Sequence, residues 1–450
     1  MPLALPLPVT SDLRPGNRSR DANWMLIMLT AVNVCNALDR ALVSVLLPAI
    51  QREFSVSDSQ IGLLTGPAFA LFYATFGLPL GFLAERVVRT RLIATAVIIW
   101  SAMTAASGFV ASFAGLTALR VGVAIGEAGG SPPSYGMISD AFPPANRTSA
   151  MAVFTSAGAI GSFLALFGGG WINEFYGWRS TFIAAGAIGL MLCPLVLFTV
   201  QDPQRGISDA HLQAPAPISL PDALKHLSTS GTFKHLVLGG TLSAFVAYSF
   251  AIWLPSFLSR SFELNSGEIG SLLGSISLVA GLSGTLAGGE IARRRGARDL
   301  AWWLLTPVLG FLIAAPATLV AIASHNLYVC LAALAISQFG MFFYMGPLWA
   351  SVGMIAAPGM RSIASSALLF VQMILGLGLG PLLTGMVSDA ATKSLGLEGL
   401  RYALLLPTAA MLWAAFHYFK AARLIANEVS FAVDKPVTHR QTKLSVERPS

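Results

Sequence analysis

The strongest constraint on this chain is a series of apolar blocks, each about twenty residues or more, recurring from residue 24 to residue 424. About twenty residues of helix, rising 1.5 Å each, cross the hydrocarbon core of a bilayer. The blocks fall at 24–50, 60–84, 91–110, 113–140, 148–172, 179–200, 233–258, 266–291, 300–323, 326–355, 362–389 and 400–424. Composition agrees: 55% of residues are hydrophobic and 11% charged, against about 25% charged in soluble domains. A soluble protein this apolar would expose large sticky patches. The expected fold class is an all-α polytopic membrane protein with twelve transmembrane helices.

Residues 201–232, "QDPQRGISDAHLQAPAPISLPDALKHLSTSGT", are polar and hold four prolines. They divide a six-helix half, 24–200, from a second, 233–424, with polar tails at 1–23 and 425–450. Within the divider, "LPDALKHL" reads as a short surface helix starting at Pro221. Lys and Arg number twenty-one in the segments on the N-terminal side of the membrane and five on the other side. That bias places both termini, the tails and the central loop in the cytoplasm. The net charge of +7 is therefore a loop signal and does not call for nucleic acid. The sequons at Asn17 and Asn146 fall on the wrong side for glycosylation. The first 23 residues lack the apolar core and cleavage site of a signal peptide. Cys35, Cys193 and Cys330 all lie in apolar runs without CxxC spacing, which fits small core residues.

An internal repeat links the halves. "GFLAERVVRTR" (Gly81 to Arg91) follows the second block and "GEIARRRGARD" (Gly289 to Asp299) follows the eighth, an offset close to half the chain. Two pseudo-symmetric six-helix halves of the same topology are the parallel repeat of one large class of secondary transporter, with the substrate site between the halves.

Four charges lie inside the membrane. The first block carries Asp39 and Arg40 near its middle, within "NALDRALVS". The fourth carries Arg120 and Glu127, seven residues apart and so on one helical face. The two blocks run in opposite directions, so all four charges fall at similar depth. A lone charge there costs at least about 2.5–3.5 kcal/mol, and ionisable groups inside membrane helices are functional candidates by default. Burial raises a carboxylate pKa and a nearby guanidinium lowers it, so a carboxylate whose arginine contact changes with conformation couples protons to transport. Asp39 is the first candidate for the proton site and Glu127 the second. Arg40 and Arg120 are always charged and can hold either a carboxylate or an anionic substrate group. The sequence does not say which arginine pairs with which carboxylate.

The second half contrasts with this. Its candidate lining residues are Phe245, Tyr248, Phe339, Phe343, Tyr344 and Gln372, to which the second block adds Phe69 and Tyr73. A cavity charged on one side and aromatic on the other suits an amphipathic molecule with an anionic or zwitterionic head. The alternative is a proton-coupled symporter of small organic anions. The six histidines are scattered and no nucleophile or metal spacing appears, so the chain does not read as an enzyme. No cofactor is expected beyond protons as the coupling ion. "GLGLGPLLTG" (Gly376 to Gly385) follows no strand and is helix-packing glycine rather than a nucleotide loop.

The motif G-x-x-x-E-R-x-x-R at Gly81, Glu85, Arg86 and Arg89 resembles the loop signature of the major facilitator superfamily, with Glu85 where the family usually has Asp and Val88 where it usually has Gly. The second copy keeps Gly289, Arg294 and Gly296 but has Arg293 at the acidic position. The resemblance implies the major facilitator fold and a cytoplasmic latch formed by Glu85, Arg86 and Arg89. "ALDR", "RVGVAIGEA" at Arg120–Ala128, "SPPSYGMISDAFPPANR" to Arg147 and "GWRSTF" at Gly177–Phe182 resemble the Spinster branch. That resemblance implies a transporter of lysolipids or sphingoid phosphates, proposed to be proton-coupled, with Asp39, Arg40, Arg120 and Glu127 at the branch's intramembrane charges. Related organic-anion symporters share a similar G-E-A helix. Short termini and compact loops suggest a bacterial inner-membrane protein, a monomer with membrane lipids and its substrate as partners.

Overall fold

The structure is a computed structural model that describes residues 15–205, 220–356 and 360–434. The first half comprises α1 (Pro15–Phe54), α2 (Asp58–Thr65), α3 (Pro67–Ala84), α4 (Arg89–Ser107), α5 (Phe113–Ala128), α6 (Ser131–Ala141) and α7 (Pro144–Thr199). After the surface helix α8 (Leu220–Thr229) come α9 (Gly231–Phe262), α10 (Ser266–Gly296), α11 (Trp302–Ala323), α12 (Leu327–Met341), α13 (Met345–Ile355), α14 (Arg361–Val371), α15 (Gly378–Leu395), α16 (Gly399–Ala403) and α17 (Leu405–Asp434). Nine helical stretches among the described residues are long and apolar enough to cross a membrane. Two of these, 149–199 and 363–428, each contain two of the expected spans, and the fourth span is interrupted between α5 and α6.

The interruptions have local causes. The second span breaks at Gly66, with Pro67 starting α3 where the missing N–H costs nothing. The fourth breaks at Gly129–Gly130, just before Pro132 and Pro133. A 3₁₀ turn over Phe342–Tyr344 joins α12 to α13, and a π turn over Gln372–Leu377 joins α14 to α15. The sequence reading expects a connection over 173–178. The chain instead reverses at one residue inside α7, because Gly177 takes φ 79°, ψ 164°, which a side chain would resist. The leg before Gly177 runs alongside α1, with Gly161 against Val34 and Ala37 and Gly169 against Leu42. The leg after it returns along α4, with Gly186 against Ala105 and Cys193 Sγ donating to the Ala94 carbonyl. The expected surface helix is α8, which buries Ala223 and Leu227.

Two faces can be distinguished. Glu428, near the end of α17, accepts from Ser230 and from the Thr232 N–H at the start of α9. Arg260, near the other end of α9, pairs with Asp58 just beyond the end of α1. The start of α1 and the end of α17 therefore share a face, here called the termini-bearing face. At the opposite face one apolar cluster spans both halves, holding Leu46, Leu47 and Ile61 of the first and Phe250, Trp253 and Phe257 of the second.

Candidate functional site

The four intramembrane charges form two pairs. Arg120 Nη1 lies 3.0 Å from Asp39 Oδ2, and Thr104 on α4 donates to Asp39 Oδ1 at 2.7 Å. Arg40 Nε donates to Glu127 Oε2 at 2.5 Å. Neighbouring residues on a helix point about 100° apart, so Asp39 turns toward α4 and Arg120 while Arg40 turns toward α3 and Glu127. Both carboxylates and Arg120 are buried. Breaking such a pair by removing one partner costs about 3–5 kcal/mol, since the other charge is left uncompensated.

The two pairs differ in how fully they are satisfied. Both Asp39 oxygens have partners. Glu127 is 0% exposed and its Oε1 has no hydrogen-bond partner. The Arg40 side chain keeps 26% exposure. Its guanidinium lies 4.6 Å from the Tyr73 ring centroid and 5.3 Å from that of Phe69, and these rings stack on each other at 5.9 Å. Contacts of this kind contribute about 0.5–2 kcal/mol each. The result is a partly open cation on an aromatic floor, backed by a buried carboxylate with one bare oxygen.

The second-half candidates separate into two groups. Tyr248 and Met373 reach across to the cluster that contains Phe69, Phe72 and Tyr73. Phe245 and Gln372 sit at the close approach of α9 to the π turn. There the Phe245 backbone lies against Gly376 and Gly380, and Gln372 Nε2 donates to the Gly240 carbonyl at 3.0 Å. Phe343 corrects the expected lining set: it is 3% exposed and packs on Gly310 of α11 and Gly288 of α10. Phe339 meets it edge-on at 5.0 Å. Tyr344 stacks on Phe311, which stacks on Tyr418. Gly284 and Gly288 of α10 take the Phe339 and Phe343 backbone and Gly310 of α11 takes the Phe343 side chain, which draws this segment into the second half's own packing.

Of the loop-signature residues, Arg89 and Glu85 meet the 202–205 segment in different ways. Arg89 is 4% exposed and forms a hub: its backbone N–H and Nε donate to Asp202, Nη1 to Asp140 at 2.5 Å and Nη2 to the Pro203 carbonyl. Glu85 caps α3 on the surface and offers its backbone carbonyl to Arg205. Arg86 is exposed, and a Cβ on Gly81 would meet nothing within 4 Å. The sequence reading passed over Asp140 and Asp202 as partners, although Asp140 lies inside the quoted "SPPSYGMISDAFPPANR" run.

A second group missed by the sequence reading joins the halves at the face opposite the termini. Arg260 grips Asp58 with both terminal nitrogens, at 2.7 and 2.5 Å, and reaches Gln51. Ser388 donates to Asp58 at 2.5 Å, and Asp389 accepts the N–H groups of Asp58 and Ser59 at the start of α2. Asn173 bonds to Ser266 and Trp171 to Ser271. Among the described residues, no group of three or more His, Cys, Asp or Glu is placed to hold a metal ion.

Comparison with known proteins fits this architecture. The family model described as Major Facilitator Superfamily matches residues 29–381. An MFS-type efflux pump of Mycolicibacterium smegmatis is 33% identical over 86% of this chain and 90% of its own length. Human protein spinster homolog 1 is 27% identical, over 85% of this chain and 75% of its own. A crystal structure of a bacterial homologue of the human lysosomal transporter Spinster, inward-facing and unoccupied, superposes with a TM-score of 0.83 at 30% identity, covering 93% of this chain and 99% of that one. With twelve spans in two halves and a family match over most of its length, the chain belongs to the major facilitator superfamily and is a multi-pass membrane transporter, not an enzyme, related to the Spinster proteins and to efflux pumps.

Proposed function

We propose that this transporter works by proton-coupled alternating access and moves an amphipathic molecule with an anionic or zwitterionic head, of lysolipid or sphingoid type, through the cavity between its halves. The observation that carries the reading is the Arg40–Glu127 pair, in which a fully buried carboxylate with a bare oxygen holds a partly exposed guanidinium. A proton arriving at Glu127 Oε1 cancels the carboxylate charge and frees Arg40 for an anionic head group. The rings of Phe69, Tyr73 and Tyr248 then offer an apolar surface for the attached chain. In this reading Glu127 becomes the first candidate for the coupling site. Asp39, with Thr104 and Arg120 on its two oxygens, becomes a fixed charge that positions Arg120. The excess of Lys and Arg on one side supports cytoplasmic termini in a bacterial inner membrane, and hence a cavity that opens toward the cytoplasm when the opposite face is latched.

Proteoliposomes with an imposed pH gradient test the coupling. Glu127→Gln is expected to bind substrate without pH dependence and to lose gradient-driven accumulation. Accumulation by Glu127→Gln at the wild-type level would refute the assignment. Thermal shift against lysolipids, sphingoid phosphates and small carboxylates tests the substrate class. Stabilisation by small carboxylates alone would favour the symporter of small organic anions, for which Arg40 would be the binding cation.

A further inference from the structure

Away from the central charges, His235 on α9 and His417 on α17 bring their Nδ1 atoms to 2.9 Å, with ring centroids 5.2 Å apart. One ring donates and the other accepts, which leaves each Nε2 as a further hydrogen-bonding position. His235 is four residues beyond the start of α9, roughly 6 Å along the helix, so the pair lies just inside the termini-bearing face, below Lys420 and Arg423 on α17. His417 packs against Trp413 and Phe416, with ring centroids at 6.0 and 5.5 Å. Both aromatics, with Leu412, are exposed along α17. On a membrane-crossing helix such a face meets acyl chains. Lys420 Nζ lies 5.5 Å from the Phe416 ring, and Arg423 is exposed one turn further on. Residues 405–427 and 231–262 contain no Asp or Glu, so the basic groups have no acid on these stretches of their helices. Of the two acids nearer the end of α17, Glu428 is held by Ser230 and Thr232, and Asp434 is the last residue of the helix, eleven beyond Arg423.

Basic groups between membrane helices near the membrane surface bind anionic lipid heads. We propose that the basic surface along the α9–α17 contact binds an anionic phospholipid of the leaflet at the termini-bearing face. The phosphate is held by Lys420, Arg423 and the His235–His417 pair, and an acyl chain lies along Trp413 and Phe416. Free phosphate would satisfy the basic groups alone; the aromatic wall below them commits the site to a lipid. The site is separate from the transport site and does not depend on the substrate proposed above.

The test uses full-length protein in nanodiscs of phosphatidylcholine, with and without phosphatidylglycerol, reading the melting temperature and the lipid retained in native mass spectrometry. Phosphatidylglycerol is expected to raise Tm and to be retained in preference to phosphatidylcholine. Each of Lys420→Gln and Arg423→Gln is expected to lower that preference about fivefold, and His417→Gln to lower it further. Arg293→Gln with Arg294→Gln, which removes two exposed cations elsewhere, should leave it unchanged. The exposed Lys420 and Arg423 variants carry the test if His417→Gln does not fold. The proposal is overturned by equal Tm in the two nanodiscs. It is equally overturned by an unaltered preference in the Lys420 and Arg423 variants, or by equal stabilisation from inorganic phosphate in phosphatidylcholine nanodiscs.

Discussion

The two faces of this transporter use the same chemistry, arginine against carboxylate, for different ends. At the termini-bearing face two charge clusters among the described residues do not bridge the halves. Arg89 holds Asp140 of the first half and Asp202 of the central divider, and Glu290 holds Arg293 and Arg294 in the second half. At the opposite face Arg260 reaches from the second half to Asp58 in the first. The glycines follow the same division. A Cβ on Gly270 would lie 1.9 Å from the Leu166 carbonyl oxygen across the seam, and one on Gly62 would lie 2.7 Å from Leu382 Cα. A Cβ on Gly158 or Gly289, further toward the termini-bearing face, would meet nothing within 4 Å. Charge within a half makes each half rigid, whereas charge between halves sets whether they stay together. Among the described residues, an ion pair thus joins the halves at the opposite face, whereas the Arg89 and Glu290 clusters do not bridge them.

The largest effect should come from breaking the cross-half clamp. Arg260→Ala leaves Asp58 buried without its cation, which costs about 3–5 kcal/mol, a shift of more than a hundredfold toward parted halves. Spin labels on Arg52→Cys and Glu268→Cys should move apart at the opposite face. An unchanged distance would mean the clamp does not hold the halves. Next, Arg89→Ala should cost about 3 kcal/mol by removing the buried cation shared by Asp140 and Asp202, lowering Tm without changing that distance. A longer distance would show that the termini-bearing hub also reports on the other face. Third, Gly270→Ala overpacks the seam by about 1–3 kcal/mol and should lengthen the distance, whereas Gly289→Ala should not. The smallest effect is Glu290→Gln, an exposed pair whose loss should leave Tm within error; a clear drop in Tm would show that the second-half cluster is tied to more than its own helix.

The twelve spans were legible because hydropathy records the bilayer directly, and the interrupted fourth span because Gly129, Gly130, Pro132 and Pro133 are visible breakers. The common depth of Asp39, Arg40, Arg120 and Glu127 followed from helix direction and rise. Their pairing did not, because it depends on how α1 is rotated about its axis, which spacing within one helix leaves free. Arg260 and Asp58 were invisible as partners for a related reason. In sequence Arg260 is a loop-proximal cation counted for topology, and its meaning depends on a residue in the other half. Phe343 was misread as lining because an aromatic in an apolar run looks the same whether it faces a cavity or a glycine notch. The one-residue reversal at Gly177 gave no signal beyond a glycine between two apolar runs.

The seam between the halves also has a kinetic consequence. Where Gly62 lies on Leu382, Gly66 on Gly378 and Gly170 on Ser266, main chain rests on main chain. Beside these contacts side chains do cross the seam, Trp171 packing on Gly267 and Asn173 bonding to Ser266, so parting the surfaces breaks both kinds of contact. At the main-chain contacts themselves no rotamer has to change, and the charge contact beside them is the Asp58–Arg260 pair. Parting of the halves at this seam would therefore include an ionic step, which salt and a single substitution can tune without touching the central charges.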